Sequence, residues 1–336
     1  MPRRENGIPT GPFPFLLLVA LSADGQWLQF SQVQPRLFQS FMAALGLTWM
    51  FTDPDWAGLP VFEEAERRVA FWDILLTETR KKTLDQWWEV FDADPNVWAE
   101  VFRRGAELLD HPQLRHLKFV VESDDPTYGI VRQPGALVMC DATPALAPRP
   151  SPVLDADRDD LGTPRPGGAA SEVGPAAGDL PLAGVTVLEL GGFYAAPYGA
   201  TLLTDLGARV IKVEPLEGDP MRTILPFPES GGAKVLQGKE SVAVDIGTED
   251  GRRIVHELAG RSDLVLQCYR AGVAERNGVD AVTLRQINPS LVYLNAPGYG
   301  IDGPCGHRPA FAPTIGAGSG IAMRNLGSGA PHRAPR

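Results

Sequence analysis

Short apolar runs alternate with longer amphipathic stretches over residues 182–295. The short runs are typical of buried strands, and the longer stretches, in which apolar residues recur at helical spacing, predict helices. The predicted strands are Val185–Leu190, Arg209–Val213, Leu264–Leu266 and Leu291–Leu294. Strands that alternate with helices in this way predict a parallel, doubly wound, Rossmann-like α/β sheet, whose ligands bind beyond the carboxyl ends of the strands.

The beginning of the chain predicts a β-hairpin. The apolar run Phe13–Leu21 is followed by Asp24-Gly25 and by the alternating residues 27–30. Two arginines precede the run, so a secretory signal peptide is the alternative, although the turn chemistry favours a strand. The run is too short to span a bilayer.

These patterns divide the chain into three segments. Residues 1–150 are predicted to form a smaller α+β domain, in which Thr83 and Gln86 have the spacing of a capping box and mark the start of a helix. Residues 151–180 are rich in Pro, Gly and Ala, and they are predicted to be a disordered linker. Residues 181–336 carry the Rossmann-like pattern.

Composition excludes several functions. The net charge of −10 over 336 residues argues against a nucleic-acid partner. The three cysteines are far apart in the sequence, and the five histidines lack ligand spacing, so neither a disulfide framework nor a metal site is expected. We expect a cytoplasmic protein with no membrane association.

The turn after the first Rossmann strand reads GGFYAAPYG, from Gly191 to Gly199. Glu214 ends the second strand about where a ribose-binding acid would lie, so an NAD-dependent oxidoreductase is one alternative. The turn lacks the GxGxxG pattern, however, and Tyr194 and Pro197 occupy positions where a pyrophosphate needs close approach to the backbone.

Several motifs carry a resemblance to one family. LAGVTVLELGGFYAAPYGATLLTDLGARVIKVEPLEGDPMR, KESVAVDIGTEDGRRIV and SDLVLQCYRAGVAERNGVDAVTLRQINPSLVYLNAPGYGIDGP follow one another between Leu182 and Pro304. They resemble the N-terminal half of family III coenzyme A-transferases, the formyl-CoA and carnitine-CoA transferase group. ADGQWLQF, TLDQWWEVF, LLDHPQLRHLKF and DATPALAPRPSP, within residues 23–152, resemble that family's C-terminal segment. The order, tail before head, is that of a piece of a tandem fusion or of a permuted protein.

The resemblance implies an enzyme that moves coenzyme A from an acyl-CoA to a carboxylate acceptor. In this family an aspartate attacks the thioester, and a mixed anhydride forms as the thiolate leaves. That aspartate normally follows a segment like Gly316–Gly320, in a Gly-Asp motif, and no acid up to Arg336 matches it. We therefore assign no catalytic residue and expect the chain alone to be inactive. Coenzyme A is expected as a substrate, with no covalently bound cofactor.

The resemblance also implies a partner. An intertwined dimer or a tandem-fused partner half would supply the missing aspartate. A non-catalytic half that scaffolds an active partner is the second hypothesis. The acyl and acceptor substrates are not predicted, because the acyl pocket is built largely from residues outside this sequence.

The resemblance finally assigns a CoA-binding surface. Arg276 matches a phosphate-facing basic residue, Glu240 is expected to repel a phosphate, and Arg308 is a looser cationic candidate. Lys212 and Glu214 are interpreted as a structural pair at a strand end. The matching positions are Tyr194, Ala195, Lys239, Cys268, Tyr269 and Arg276.

Three of these positions have a structural alternative. The Tyr194 ring is equally compatible with packing over its own turn. Cys268 is compatible with a small buried residue, and Arg276 with a solvated helix charge.

Overall fold

The computed structural model describes residues 4–5, 8–9, 16–145, 149–159, 180–223 and 228–325, which form two compact units. The first unit combines the residues up to Val120 with those from His307 onward, and the second spans Val121–Gly306. The strands, in chain order, are β1 (Arg4–Glu5), β2 (Ile8–Pro9), β3 (Val19–Leu21), β4 (Trp27–Phe30), β5 (Ala99–Val101), β6 (Val120–Asp125), β7 (Gly129–Pro134), β8 (Thr186–Leu190), β9 (Arg209–Glu214), β10 (Lys239–Ala243), β11 (Leu264–Gln267) and β12 (Val292–Asn295). The helices are α1 (Pro35–Ala44), α2 (Ala65–Thr79), α3 (Leu84–Ala93), α4 (Pro112–His116), α5 (Ala195–Asp205), α6 (Pro228–Leu236), α7 (Glu249–Ala259), α8 (Val273–Arg276), α9 (Ala281–Ile287), α10 (Ala312–Gly318) and α11 (Ile321–Asn325).

The first unit contains an antiparallel sheet with the strand order β3-β4-β5. The predicted hairpin is confirmed, because Leu21 pairs with Trp27 and Gly25 adopts φ +78° in the turn. The part of the apolar run before residue 16 lies outside the described residues.

Helices α1 and α3 pack on this sheet through aromatic side chains. The Phe30 ring of β4 lies 4.8 Å from the Phe41 ring of α1 and 5.1 Å from the Trp87 ring of α3, between centroids. The predicted capping box is confirmed, since the Gln86 N–H donates to Thr83 Oγ1 at 3.3 Å and the Thr83 N–H donates to Gln86 Oε1 at 2.9 Å.

Residues 307–325 pack in the first unit. The Arg103 N–H, just after β5, donates to the Ala317 carbonyl of α10 at 3.1 Å. A Cβ at Gly318 would lie 2.9 Å from the Glu100 side chain, so α10 needs a glycine there to approach β5. Long-range packing therefore groups these last helices with the first unit.

Arg308 belongs to the same packing. Its guanidinium is buried, donates to the Phe91 carbonyl and pairs with the Asp92 carboxylate. This cationic candidate is therefore a structural residue of the first unit. Of the predicted linker 151–180, residues 160–179 lie outside the described residues.

The second unit contains five parallel strands in the order β10-β9-β8-β11-β12, which confirms the predicted doubly wound α/β fold. Successive side chains of each strand face opposite sides, so the sheet has a hydrophobic cluster on each face. One cluster contains Leu188, Leu190, Ile211, Val213, Val244, Val255, Ala259, Val265, Ala274, Val279, Leu284 and Leu291. The other contains Val187, Ala196, Ala200, Ala208, Val210 and Leu266. Within the described ranges, no helix is long and apolar enough to cross a membrane.

Candidate functional site

The strand order of the sheet reverses between β8 and β11. From β8 the chain continues to β9 and β10 on one side, and then returns to form β11 and β12 on the other. Leu190 and Gln267 lie opposite each other at the carboxyl ends of β8 and β11. The loops that follow are in contact, since the Cys268 Sγ lies 3.8 Å from the Gly192 carbonyl oxygen. Open parallel sheets bind ligands at such a reversal, which makes this edge the candidate site.

The turn from β8 into α5 exposes an aromatic pair. Tyr194 is 46% exposed, and its ring stacks on Tyr198 with a centroid distance of 5.7 Å and an angle of 13°. Ala195 is also exposed. Phe193 has φ +65°, which is rare for a residue with a bulky side chain. Its N–H donates to Asp219 Oδ1 at 3.2 Å, so the turn is fastened to the loop after β9.

A fully buried lysine lies beneath this turn. Lys212 Nζ is 2.7 Å from Glu189 Oε1, 2.8 Å from Asp219 Oδ2 and 2.6 Å from the Gly191 carbonyl oxygen. Burial alone would lower the pKa of Lys212, but the charges of Glu189 and Asp219 outweigh burial and raise it. The ammonium therefore stays charged and joins β8, β9 and the turn.

Lys239 extends the same network instead of facing solvent. Its ammonium is buried, 2.6 Å from Glu189 Oε2 and 2.6 Å from the Pro197 carbonyl oxygen in the first turn of α5. Burial lowers the pKa of Lys239, and the nearby Lys212 charge adds to this effect. The long side chain of Lys239 therefore runs from the start of β10 inward to α5, where it contacts protein groups.

Glu214 has its own set of partners. Its carboxylate accepts two hydrogen bonds from Arg222, at 2.6 and 2.8 Å, one from Ser241 at 2.6 Å and one from the Asp219 N–H at 2.7 Å. Burial would raise the pKa of Glu214, but these bonds outweigh it and lower the pKa to about 2. The predicted pair of Lys212 with Glu214 is wrong, since each binds other residues.

The end of β11 forms a wall of the site. Cys268 is half-buried, and burial raises the pKa of its thiol, which favours a structural residue over a nucleophile. Tyr269 packs against the larger hydrophobic cluster, and burial raises its pKa as well. Gln267 Oε1 accepts from the Tyr269 N–H at 2.6 Å, and its amide nitrogen donates to Asn295 Oδ1. This side chain therefore joins the loop after β11 to the last residue of β12.

Arg276 is the exposed cation next to this wall. It ends α8, and a Cβ at Gly272 would lie 3.0 Å from its Nη1, so the side chain lies along the loop after β11. Its guanidinium makes no hydrogen bond or ion pair with another residue that the structure describes. Glu240, by contrast, is bound by Arg209 at 2.7 and 2.8 Å near the amino-terminal ends of the strands. The expected repulsion of a ligand by Glu240 is corrected, because its charge is paired and lies at the other end of the sheet.

Sequence reasoning missed three residues of the site. Glu189 is a charged residue within an apolar strand, and buried charges need partners, so this position did carry a signal. Asp219 precedes a proline, which is typical of a helix N-cap but does not predict a bond to Phe193. The left-handed conformation of Phe193 has no signal in the sequence, because turns with φ above zero usually carry glycine.

Comparison with known proteins identifies the family. The model of CoA-transferase family III matches residues 14–158 and 182–336, on both sides of the predicted linker. The chain belongs to CoA-transferase family III. The resemblance predicted from the motifs is thereby confirmed.

Proteins named as CoA-transferases match part of the chain. Acetyl-CoA:oxalate CoA-transferase of Acetobacter aceti is 38% identical over 157 residues, which are 46% of this chain and 40% of that protein. The alpha subunit of succinyl-CoA–L-malate CoA-transferase of Chloroflexus aurantiacus is 35% identical over 149 residues, 43% of this chain and 35% of that protein. The crystal structure of Rv3272 from Mycobacterium tuberculosis matches with 34% identity and a TM-score of 0.40, over 47% of this chain and 43% of that one. These matches span less than half of each relative.

Proposed function

We propose that this protein is part of an enzyme that moves coenzyme A from an acyl-CoA to a carboxylate acceptor. In this proposal its second unit binds the coenzyme at the carboxyl ends of β8 and β11. The contact between the two loops there, with Cys268 Sγ 3.8 Å from the Gly192 carbonyl oxygen, is the observation that carries the proposal. It supports a single surface made from both motifs that resemble the family's CoA-binding residues.

Each residue of this surface has a role that fits its surroundings. Tyr194 and Ala195 offer an exposed ring and backbone on the α5 side. Cys268 and Tyr269, which are both half-buried, form the wall beside the adenine base of the coenzyme. Arg276 is exposed and makes no side-chain bond to any other residue in the described ranges. A guanidinium suits a phosphate because it donates two parallel hydrogen bonds.

Lys239 contributes indirectly in this proposal. Its bond to the Pro197 carbonyl fixes the first turn of α5, on which Tyr194 and Ala195 depend. The same proline supports the exclusion of a dinucleotide, since it removes one N–H from the helix start that would bind a pyrophosphate.

The nucleophilic carboxylate is proposed to come from a partner half. The sequence from Gly303 to Arg336 contains neither Asp nor Glu, so nothing there matches the family's Gly-Asp motif. Two relatives are named as the alpha and beta subunits of succinyl-CoA–L-malate CoA-transferase, which supports an enzyme built from more than one chain. The partner is an intertwined second chain or a fused half. A cytoplasmic location is part of the proposal, and the free thiols of Cys140 and Cys268 suit that reducing compartment.

Calorimetry on the full chain tests the binding proposal. CoA should bind, dephospho-CoA should bind more weakly if Arg276 meets the ribose phosphate, and NADH should not compete. Tighter binding of NADH than of CoA would overturn the transferase interpretation of this surface. Absence of CoA binding would favour the scaffold hypothesis instead.

A further inference from the structure

Phe193 holds a strained backbone conformation at the candidate site. Its φ of +65° is a region that residues with a Cβ avoid. Such a residue persists only where surrounding contacts hold it there, and strained residues concentrate at binding and catalytic sites. The neighbouring Gly192 has no comparable restriction, so the strain is concentrated at one position of the turn.

A buried ion pair is hydrogen-bonded to the turn on both sides of Gly192. Lys212 Nζ donates to the Gly191 carbonyl oxygen at 2.6 Å, before Gly192. Asp219 Oδ1 accepts the Phe193 N–H at 3.2 Å, after Gly192. Lys212 Nζ and Asp219 Oδ2 are 2.8 Å apart, with both side chains almost fully buried. Lys212 and Asp219, with their bonds to Gly191 and Phe193, therefore form a clamp. The clamp fixes one carbonyl and one N–H of consecutive peptide groups.

Asp219 is itself held in place from two further directions. Its Oδ1 also accepts the Met221 N–H at 2.9 Å, and its own N–H donates to Glu214 Oε2 at 2.7 Å. These bonds fix the position of the Asp219 carboxylate, and the carboxylate in turn fixes the position of the Phe193 N–H.

We propose that Asp219 is a positioning residue for coenzyme A binding. Together with Lys212 it keeps Phe193 in the left-handed conformation, and the direction of the chain at Phe193 sets where Tyr194 and Ala195 point. Tyr194 is the N-cap residue of α5 and makes no side-chain cap hydrogen bond. Its ring stacks on Tyr198 of the same helix, so the clamp orients Tyr194 together with the first turn of α5. The inference rests on the proposed function, because it assumes that Tyr194 and Ala195 meet the coenzyme.

The test is a set of variants of the full chain, titrated with CoA by calorimetry. Asp219→Asn keeps the size of the side chain but turns an amide toward Lys212 and breaks the clamp. Its Kd for CoA should rise about tenfold or more, the consequence of releasing a strained residue. Adding Phe193→Gly should restore most of the affinity, because glycine reaches positive φ without strain. Adding Phe193→Ala should not, although it removes the same ring.

The CoA titrations distinguish failure of the clamp from failure of the proposed CoA-binding function. Asp263→Asn is the control, since among the described residues the Asp263 carboxylate accepts the Thr186 N–H alone, at 2.8 Å and at the amino end of β8. The Kd of this variant for CoA should stay unchanged. Absence of CoA binding to the wild-type chain would overturn the proposed function and this inference with it. Two results would overturn the clamp alone. One is the same affinity for CoA in the wild type and in Asp219→Asn. The other is the same loss of affinity whether glycine or alanine replaces Phe193 in the Asp219→Asn variant.

A measurement on the wild-type chain covers the case in which Asp219→Asn does not fold. The Phe193 amide should exchange with deuterium as slowly as amides in β9, since it is bonded to a buried carboxylate. Exchange at the rate of an unprotected amide would overturn the clamp.

Discussion

At the scale of single residues, Glu214 couples pH to stability. Its carboxylate accepts four hydrogen bonds, and its pKa of about 2 lies below that of an unfolded glutamate. The ionised form therefore stabilises the fold above about pH 4.3, and this stabilisation is lost as the pH falls toward 2. Glu214→Gln should lower the free energy of unfolding by roughly 2–3 kcal/mol at pH 7 and by little at pH 2.

Urea unfolding followed by far-ultraviolet circular dichroism checks this at both pH values. All seven tryptophans lie between Trp27 and Trp98, so tryptophan fluorescence reports the first unit and is the internal control. Glu240→Gln, which removes an exposed carboxylate, should have little effect. Equal losses for Glu214→Gln at pH 7 and pH 2 would show that packing, not charge, is responsible.

Arg276 carries the prediction about ligand affinity. Arg276→Ala should weaken CoA binding by roughly 1.5–3 kcal/mol, the range for a hydrogen bond to a charged group. The loss should shrink as salt is added, because an exposed phosphate contact is screened. The matched control is Arg253→Ala, an exposed arginine that pairs with Asp250 and Glu257 on α7. Unchanged affinity in Arg276→Ala titrations would leave Arg276 as a solvated helix charge.

Only part of the candidate site could be predicted residue by residue. Arg276 and Lys239 are assigned on the same kind of motif match, yet one is exposed and the other is bound to Glu189. A motif fixes the position of a Cα along the chain, whereas the direction of a long side chain depends on which partners fold against it. The bond between Asp219 and Phe193 joins residues 26 positions apart, beyond any local pattern.

At the scale of elements, two helical glycines predict opposite effects of the same substitution. A Cβ added at Gly199, in α5, would meet no atom within 4 Å, so Gly199→Ala should stabilise by about 0.5–1 kcal/mol through helix propensity. Gly251, in the first turn of α7, would place its Cβ 1.9 Å from the Asp245 carbonyl oxygen. There the clash outweighs propensity, and Gly251→Ala should destabilise by about 1–3 kcal/mol.

Hydrogen exchange of the β9 amides, measured for both variants, tests these two predicted changes in stability. The change in protection should be positive for Gly199→Ala and negative for Gly251→Ala. The same sign in both would mean that local space does not decide the outcome.

The elements themselves were largely predictable. The strands expected at Arg209–Val213, Leu264–Leu266 and Leu291–Leu294 lie within one residue of those bounds at either end. Their apolar runs are buried on both faces of a parallel sheet, which makes the pattern strong. The exact ends depend on ladder bonds to neighbouring strands, such as Gln267 opposite Asn295, and these are not local.

At the scale of the whole molecule, chain order and spatial grouping differ. Residues 307–325 follow β12 in the sequence but pack with the residues up to Val120. Gly318 permits this by giving α10 room against Glu100. The sequence pattern marks α10 as small and apolar, but it does not show which unit α10 joins.

Acyl transfer needs a nucleophilic carboxylate, which we propose lies outside residues 1–336. We expect purified residues 1–336 to exchange no label between acetyl-CoA and radiolabelled acetate, because no carboxylate after Asp302 matches the nucleophile of CoA-transferase family III. CoA binding by the same preparation is the control, since it separates a missing nucleophile from a missing site. Adding a partner chain that carries the Gly-Asp motif should restore exchange, and replacing that aspartate with alanine should abolish it again. A hydroxylamine-sensitive acyl adduct trapped on residues 1–336 alone would contradict the proposal, because a carboxylate of this chain would then have formed the anhydride.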